Sequence, residues 1–379
     1  MLGRQEGRHR PADVFHFLGN ITSHGAHALP VWQHAGGEFV VLSRRARSAL
    51  AAHAVPVRML DDLPRRWRRT GPRLERTDQY LHVPGAARRT IRFLEERARV
   101  VLFYELFDFG RRRRLHGPKT VFLSHGNSVK PYFSGRDRVE LLHRHDYVAA
   151  PGPHGRRVLE GLGVPSGRLV DLGVARTDQV VARRGPRRLS PELEARLGDV
   201  SGATVVTYVP TYWGPSSVDG LGLELVRQVR PDQVLLVRLH PQTPAPIVRA
   251  YAELAVHRPH VHLALTDTPG RSLLDLLAAA DVVVGDLSSV MLEAILLRRP
   301  LVFAVCDESL GLLTGDHPFS AVVAESTLLR HGVTDLDRAL DEAIVRGIDA
   351  RVWEETAAQL FFHADGTCGQ RMVEFVDSL

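Results

Sequence analysis

The chain has 379 residues, 44% of them hydrophobic and 24% charged, which is long for one domain, comfortable for two and ordinary for a globular protein. Two cysteines far apart, Cys306 and Cys368, exclude a disulfide scaffold and a cysteine metal site, and no run approaches the ~20 apolar residues of a bilayer span. The net charge of +6 is divided unevenly: residues 1–130 carry 24 Lys+Arg against 11 Asp+Glu, about +13, and the remainder is about −7.

The start, MLGRQEGRHRPADVFHF, lacks the apolar stretch of a signal peptide, so a cytoplasmic protein is expected, one that can still sit on a membrane surface. The basic groups cluster in RRAR (44–47), RRWRR (65–69) and RRRR (111–114). Only Lys119 and Lys130 are lysines, so an arginine-rich codon usage explains Arg over Lys but not the asymmetry. An anionic partner is expected on this part of the chain: phospholipid, a phosphate polymer or nucleic acid.

Short apolar runs alternate with helix-length amphipathic segments. The pattern predicts an α/β protein with parallel sheets covered by helices. The predicted strands are 14–18, 39–42, 57–60, 99–104, 120–124, 147–150 and 168–173, then 204–210, 233–240, 261–266, 281–286 and 300–305. Between the two sets lies ARRGPRRLSPEL (182–193), polar and without an apolar period, the expected linker. Two doubly wound domains are expected to form a ligand cleft between them, with ligands at the carboxyl ends of the strands.

Unusual residues collect just after those ends. His125 follows TVFLS and can take a proton from a hydroxyl near neutral pH; the alternative is a histidine bonded to backbone. Lys130 can meet a phosphate or stand in solvent. After TVVTYVP, Thr211 opens a loop with free hydroxyls and amides, and Tyr212 and Trp213 either flank a base or wedge into the core. Arg238 and His240 alternate with apolar residues in QVLLVRLH, which places both on one face of the strand and suits a phosphate; an Arg–carboxylate pair is the other reading. After DVVV come Asp286, Ser288 and Ser289 at a helix start, where N–H groups and the helix dipole favour a diphosphate. One serine suffices as an N-cap. Glu293, a turn further, can accept ribose hydroxyls or belong to the helix surface.

These junctions, in order FLSHGNSVK, LGVARTD, YVPTYWG, VRLHP, DLLAAADVVVGDLSSVMLEAILLRRPLVFAVCD and FFHADGTCGQRMVEFV, resemble the CDP-glycerol glycerophosphotransferases, the primases and polymerases of wall teichoic acid. The resemblance covers roughly residues 100–379. It implies a GT-B fold: a Rossmann-like acceptor domain (1–182), a Rossmann-like nucleotide-donor domain (183–350), the active site in the cleft between them, and a final segment (351–379) whose helix crosses back.

The resemblance further implies transfer of glycerol phosphate from CDP-glycerol to a hydroxyl of a lipid-linked acceptor, with release of CMP. His125 is then the general base and Asp178 its support; Arg238, His240, Ser288 and Ser289 form the donor diphosphate site; Thr211, Asp286 and Glu293 lie near the nucleotide. Lys130, Arg176 and Asp365 are further phosphate candidates, Asp365 with Gly366 being equally a structural pair. No cofactor is expected, and no compact carboxylate cluster demands a divalent metal. The implied partners are a CDP-linked donor, a lipid-linked anionic acceptor and an anionic membrane surface on the inner face of the cell membrane, with no nucleic acid.

The sequence departs from the family's pattern in three places. SHGNS stands for Trp-His-Gly-Thr-Pro, Gly214 for a frequent Arg, and DLSS for Asp-Tyr-Ser-Ser. Ribitol phosphate or another nucleotide-linked polyol or sugar therefore stays open as the group moved. A UDP-sugar 2-epimerase or an inverting glycosyltransferase of the same fold is the alternative. A nucleic-acid-binding protein built on the basic first domain is more remote, since no helix-turn-helix, zinc or stacking motif supports it.

Overall fold

The computed structural model describes residues 13–19, 25–51, 53–61, 81–82, 87–108, 114–123, 136–212, 214–265, 272–311, 317–330 and 335–379. The chain divides into two units, one holding the described residues up to Asp178 together with Phe361–Leu379, the other Gln179–Leu360.

The first unit contains β1 (Val14–Gly19), β2 (Glu38–Val41), β3 (Val57–Arg58), β4 (Leu81–His82), β5 (Val100–Phe103), β6 (Phe107–Asp108), β7 (Lys119–Phe122), β8 (Tyr147–Ala149) and β9 (Leu169–Val170). Seven of these form one parallel sheet in the order β3-β2-β1-β5-β7-β8-β9; β4 and β6 pair separately. Runs such as VVLF in β5 are buried along their whole length, as expected of parallel strands covered on both faces.

The second unit contains β10 (Thr204–Val209), β11 (Gln233–Val237), β12 (Val261–Leu263), β13 (Val282–Gly285), β14 (Leu301–Val305) and β15 (Thr327–Arg330), all parallel, in the order β12-β11-β10-β13-β14-β15. The strand order reverses between β10 and β13, and in such sheets the crevice at the carboxyl ends beside that reversal is where ligands bind. All twelve predicted strands are present. β4, β6 and β15 were not predicted.

Residues 182–193 do not form a loose linker. Arg184 donates to the Leu296 carbonyl (2.7 Å), and Arg187 reaches the Ala203 and Val200 carbonyls (2.9 Å each) and the Asp281 carboxylate (2.5 Å). The arginines that made the segment look solvated pin it to the second unit, and the division falls after Asp178 instead. The return begins at Phe361 rather than 351, because the helix Ala350–Leu360 packs in the second unit, on the helices Ser289–Leu297 and Phe319–Glu325.

The last helix, Cys368–Ser378, belongs to the first unit. Met372, Val373 and Val376 pack against Ala28, Val31 and Ala35 of the helix Gly25–Ala35, and Arg99 donates to the Val376 carbonyl (3.0 Å). Among the described residues no helix is long and apolar enough to cross a membrane.

Candidate functional site

The strand-order reversal of the second sheet places the end of β10 beside the end of β13. Asp286, one residue past β13 and 2% exposed, accepts the Thr211 N–H on Oδ2 (2.7 Å) and the Ser217 N–H on Oδ1 (3.0 Å). A carboxylate facing two backbone donors makes charge-assisted bonds, so the loop after β10 is clamped at both ends. Inside it, Ser216 Oγ donates to the Thr211 carbonyl (2.6 Å), and the Ser217 and Tyr208 hydroxyls lie 2.6 Å apart. Tyr251 Oη donates to the Val218 carbonyl (2.8 Å). Gly222 closes this arrangement: a Cβ there would collide with both tyrosine hydroxyls. Asp286, expected near a nucleotide, thus braces the loop that carries Thr211.

At the end of β11 the strand stops at Val237, so strand alternation does not govern Arg238 and His240. Arg238 is buried, 7% exposed, and donates to the Ala264 carbonyl just past β12 (2.9 Å). His240 turns to the neighbouring loop. Its ring stacks on Tyr212 with centroids 4.1 Å apart and planes 23° apart, and its Nδ1 accepts the Gln242 N–H (3.1 Å).

At the end of β13 the helix Ser289–Leu297 begins. Ser288 occupies the N-cap position with extended backbone (φ −146°, ψ 167°), yet its side chain makes no capping bond. The expectation that one of the two serines caps the helix through its hydroxyl is not met by Ser288. Its Oγ is buried with no hydrogen-bond partner among the described residues. Ser289 is exposed, while Glu293 is 9% exposed and so is not plain helix surface.

Sequence reasoning passed over Thr243. It lies in the turn after His240, its N–H donates to the His240 carbonyl (2.9 Å), and its hydroxyl is buried without a partner among the described residues. A buried hydroxyl with no partner costs about 1–3 kcal/mol, so native proteins rarely leave one idle. In PQTP the residue reads as an ordinary turn former; only the lone-pair accounting of the folded loop singles it out.

In the first unit, Asp178 was expected to support a catalytic base. Its Oδ1 accepts the Cys368 N–H (3.0 Å) and its Oδ2 the Gly369 N–H (2.7 Å), so it caps the first turn of the last helix. Burial raises its pKa above the ordinary carboxylate value, opposed by those two amides. Gly173 (φ +72°) belongs to the same junction: a Cβ there would strike the Phe362 carbonyl and Cys368 Sγ. The buried Cys368 thiol contacts the Phe362 and His363 carbonyls (3.4 and 3.2 Å), and burial pushes its pKa up to about 11.

Arg176 is buried, 7% exposed, in this junction. Asp365 is exposed, accepts from Thr367 N–H (3.0 Å) and Thr367 Oγ1 (2.6 Å), and pairs with Arg371 (3.1 Å), which holds it in a local turn. The LGVARTD and HADGTCGQR segments, almost 200 residues apart, therefore pack on each other. His125, Lys130 and Trp213 lie outside the described residues.

Two units, each built on a parallel doubly wound sheet, define the two-domain Rossmann-like class to which GT-B enzymes belong. Residues 82–310, more than half of the chain, match the family model described as CDP-glycerol:poly(glycerophosphate) glycerophosphotransferase. The chain belongs to that family, and it is a phosphotransferase.

Among curated relatives, the teichoic acid ribitol-phosphate primase of Bacillus spizizenii is 26% identical over 276 residues, 68% of this chain and 67% of the relative. Four others are spanned over only 36–53% of their own length. Among solved structures, the wall teichoic acid polymerase TagF superposes with a TM-score of 0.63 at 14% identity, covering 96% of this chain and 88% of that one. Anabaena HepE in complex with UDP and glucose shares the fold at a TM-score of 0.56 and 13% identity, covering 97% of this chain and 100% of that one.

Proposed function

We propose that the protein transfers a polyol phosphate, glycerol phosphate in the first place, from a CDP-linked donor to a hydroxyl of a lipid-linked acceptor in teichoic-acid-type polymer synthesis, releasing CMP. Family membership supports the chemistry, and a TagF variant has been studied with CDPG. The observation that carries the donor site is the carboxyl edge of the second sheet: two buried hydroxyls, Ser288 and Thr243, without partners among the described residues, one of them at a helix start beside the strand-order reversal. A diphosphate supplies the acceptor oxygens that such hydroxyls and helix-start amides lack.

In this reading His125 accepts the proton of the acceptor hydroxyl, whose oxygen attacks the donor's β-phosphorus in line while CMP leaves. Such transfers depend on positioning and on neutralising phosphate charge. Arg238, His240, Ser288 and Ser289 supply that neutralisation, with Thr211 and Glu293 near the nucleotide and Lys130, Arg176 and Asp365 as outer phosphate candidates. The basic first part of the chain meets the anionic membrane or polymer: the helix Arg44–Ala51 turns Ala46 and Leu50 inward and leaves Arg45 and Arg47 exposed.

Ribitol phosphate is the second reading, because a ribitol-phosphate primase stands among the relatives. One experiment tests both. The protein is incubated with CDP-glycerol or CDP-ribitol and a short glycerophosphate lipid in anionic or neutral vesicles, and the product is weighed by mass spectrometry. One added polyol phosphate is expected, faster on anionic vesicles and absent in His125→Ala, which should still bind CDP. A tighter calorimetric response to UDP than to CDP, with no product, overturns the proposal, and wild-type turnover in His125→Ala removes the base assignment.

A further inference from the structure

Two neighbours of His240 bear directly on the state of its ring. The first is the Gln242 amide, 3.1 Å from Nδ1. A backbone N–H can only donate, so Nδ1 must present its lone pair, and the neutral imidazole then carries its proton on Nε2. The second is the Tyr212 ring, stacked 4.1 Å away and tilted by 23°. A near-parallel stack restricts the plane of the imidazole, and the Nδ1 contact then fixes which edge of the ring carries Nε2.

Tyr212 is itself held in place. The residue before it, Thr211, gives its N–H to Asp286, and Ser217, five residues on, does the same on the other oxygen. Three strand ends of one sheet thus converge: β13 through Asp286, β10 through Tyr212 and β11 through His240.

We propose that Tyr212 is a positioning residue, which together with the Gln242 amide holds His240 as the Nε2–H tautomer in a fixed plane, so that His240 meets the donor's phosphate as a hydrogen-bond donor through Nε2 and not as a proton acceptor. This rests on the reading of His240 as a donor-site residue. The ring face of Tyr212 does the work, so phenylalanine replaces it and an aliphatic residue does not.

The test uses the full chain with ¹⁵N-labelled histidine. Long-range ¹H–¹⁵N spectra, with the His240 signals assigned through His240→Gln, report the tautomer directly. The wild type and Tyr212→Phe are expected to show an Nε2–H tautomer at His240, and Tyr212→Leu an exchange-averaged ring. In the transfer assay Tyr212→Leu should raise the KM for the CDP-polyol about 3- to 10-fold, the range an aromatic stack is worth, with Tyr212→Phe near wild type and all three melting alike.

An unchanged tautomer signature and KM in Tyr212→Leu overturns the proposal. So does a Tyr212→Phe variant as impaired as Tyr212→Leu, which would assign the effect to the hydroxyl. A wild type inert toward every CDP-polyol overturns the parent reading of the site instead, and the spectra still decide whether Tyr212 holds His240.

Discussion

In the second unit Asp286 accepts amides from Thr211 and Ser217, 75 and 69 residues earlier, and so ties a loop to its own sheet. In the first unit Asp178 accepts amides from Cys368 and Gly369, 190 and 191 residues later, and so ties in the end of the chain. Both aspartates stand in motifs that suggested direct chemistry, and both commit their oxygens to backbone. Among the described residues of the second unit, the Ser288 and Thr243 hydroxyls are buried without a partner. One unit closes within a continuous segment, whereas the other depends on a segment from elsewhere in the sequence.

The largest effect that can break this contrast is acid. The first unit fully buries two histidines: burial lowers His16 to about 4 and His145 to about 3. The second unit's His262 is lowered to about 4 in a less buried place. Each is neutral when folded, whereas the unfolded chain binds a proton near the ordinary value of about 6.5. Stability is therefore retained above about pH 6.5 and lost as pH falls towards 4, by about 3 kcal/mol for His16 alone. Urea denaturation at pH 7.5 and 4.5 should show the first unit losing more than the second. His145 packs against the Phe103 and Phe122 rings, and its Nδ1 has no partner among the described residues, so His145→Phe should flatten the acid loss. An unchanged acid slope in that variant contradicts the assignment.

Next comes Asp286→Ala, which strands two backbone donors in a buried loop. A loss of about 2–3 kcal/mol is expected in the second unit alone. Hydrogen exchange should show the Thr211 and Ser217 amides opening, and protected amides there would mean that the clamp is not what orders the loop.

The smallest effect sharpens the comparison most. Asp178→Ala removes both side-chain acceptors from the first turn of the last helix, worth about 1–2 kcal/mol, and Asp178→Asn keeps one of the two, since its NH2 group cannot accept an amide N–H. Limited proteolysis should free residues 361–379 fastest in the Ala variant and more slowly in the Asn variant. If turnover collapses in both variants while the helix stays docked, Asp178 serves the chemistry and the capping account fails.

Much of this was legible in the sequence because parallel strands buried on both faces read as continuous β-branched runs, and every predicted run is a strand. β4 and β6 are two residues each, too short for any period. β15 alternates buried and exposed positions, but Leu328 fills an exposed one, which hides the alternation. The supposed linker misled because its arginines bond to carbonyls of distant residues. The junctions of the candidate site were visible as polar residues after apolar runs, yet their division of labour was not. Whether Asp286 meets a ligand or an amide, whether Ser288 caps its helix, and whether the Thr243 hydroxyl finds a partner depend on which distant groups arrive beside them.

The contact of Gly173 and Asp178 with Phe362, Cys368 and Gly369 also sets an order of events during synthesis. On the ribosome the first unit's sheet emerges early, but the helix that completes it is made only after the roughly 180 residues of Gln179–Leu360. At about 5–20 residues per second that is a wait of roughly 10–40 s. Through that interval the apolar groove of Ala28, Val31 and Ala35 has no cover from its own chain. A nascent chain stalled before residue 361 should therefore be a chaperone client, even with a finished second unit.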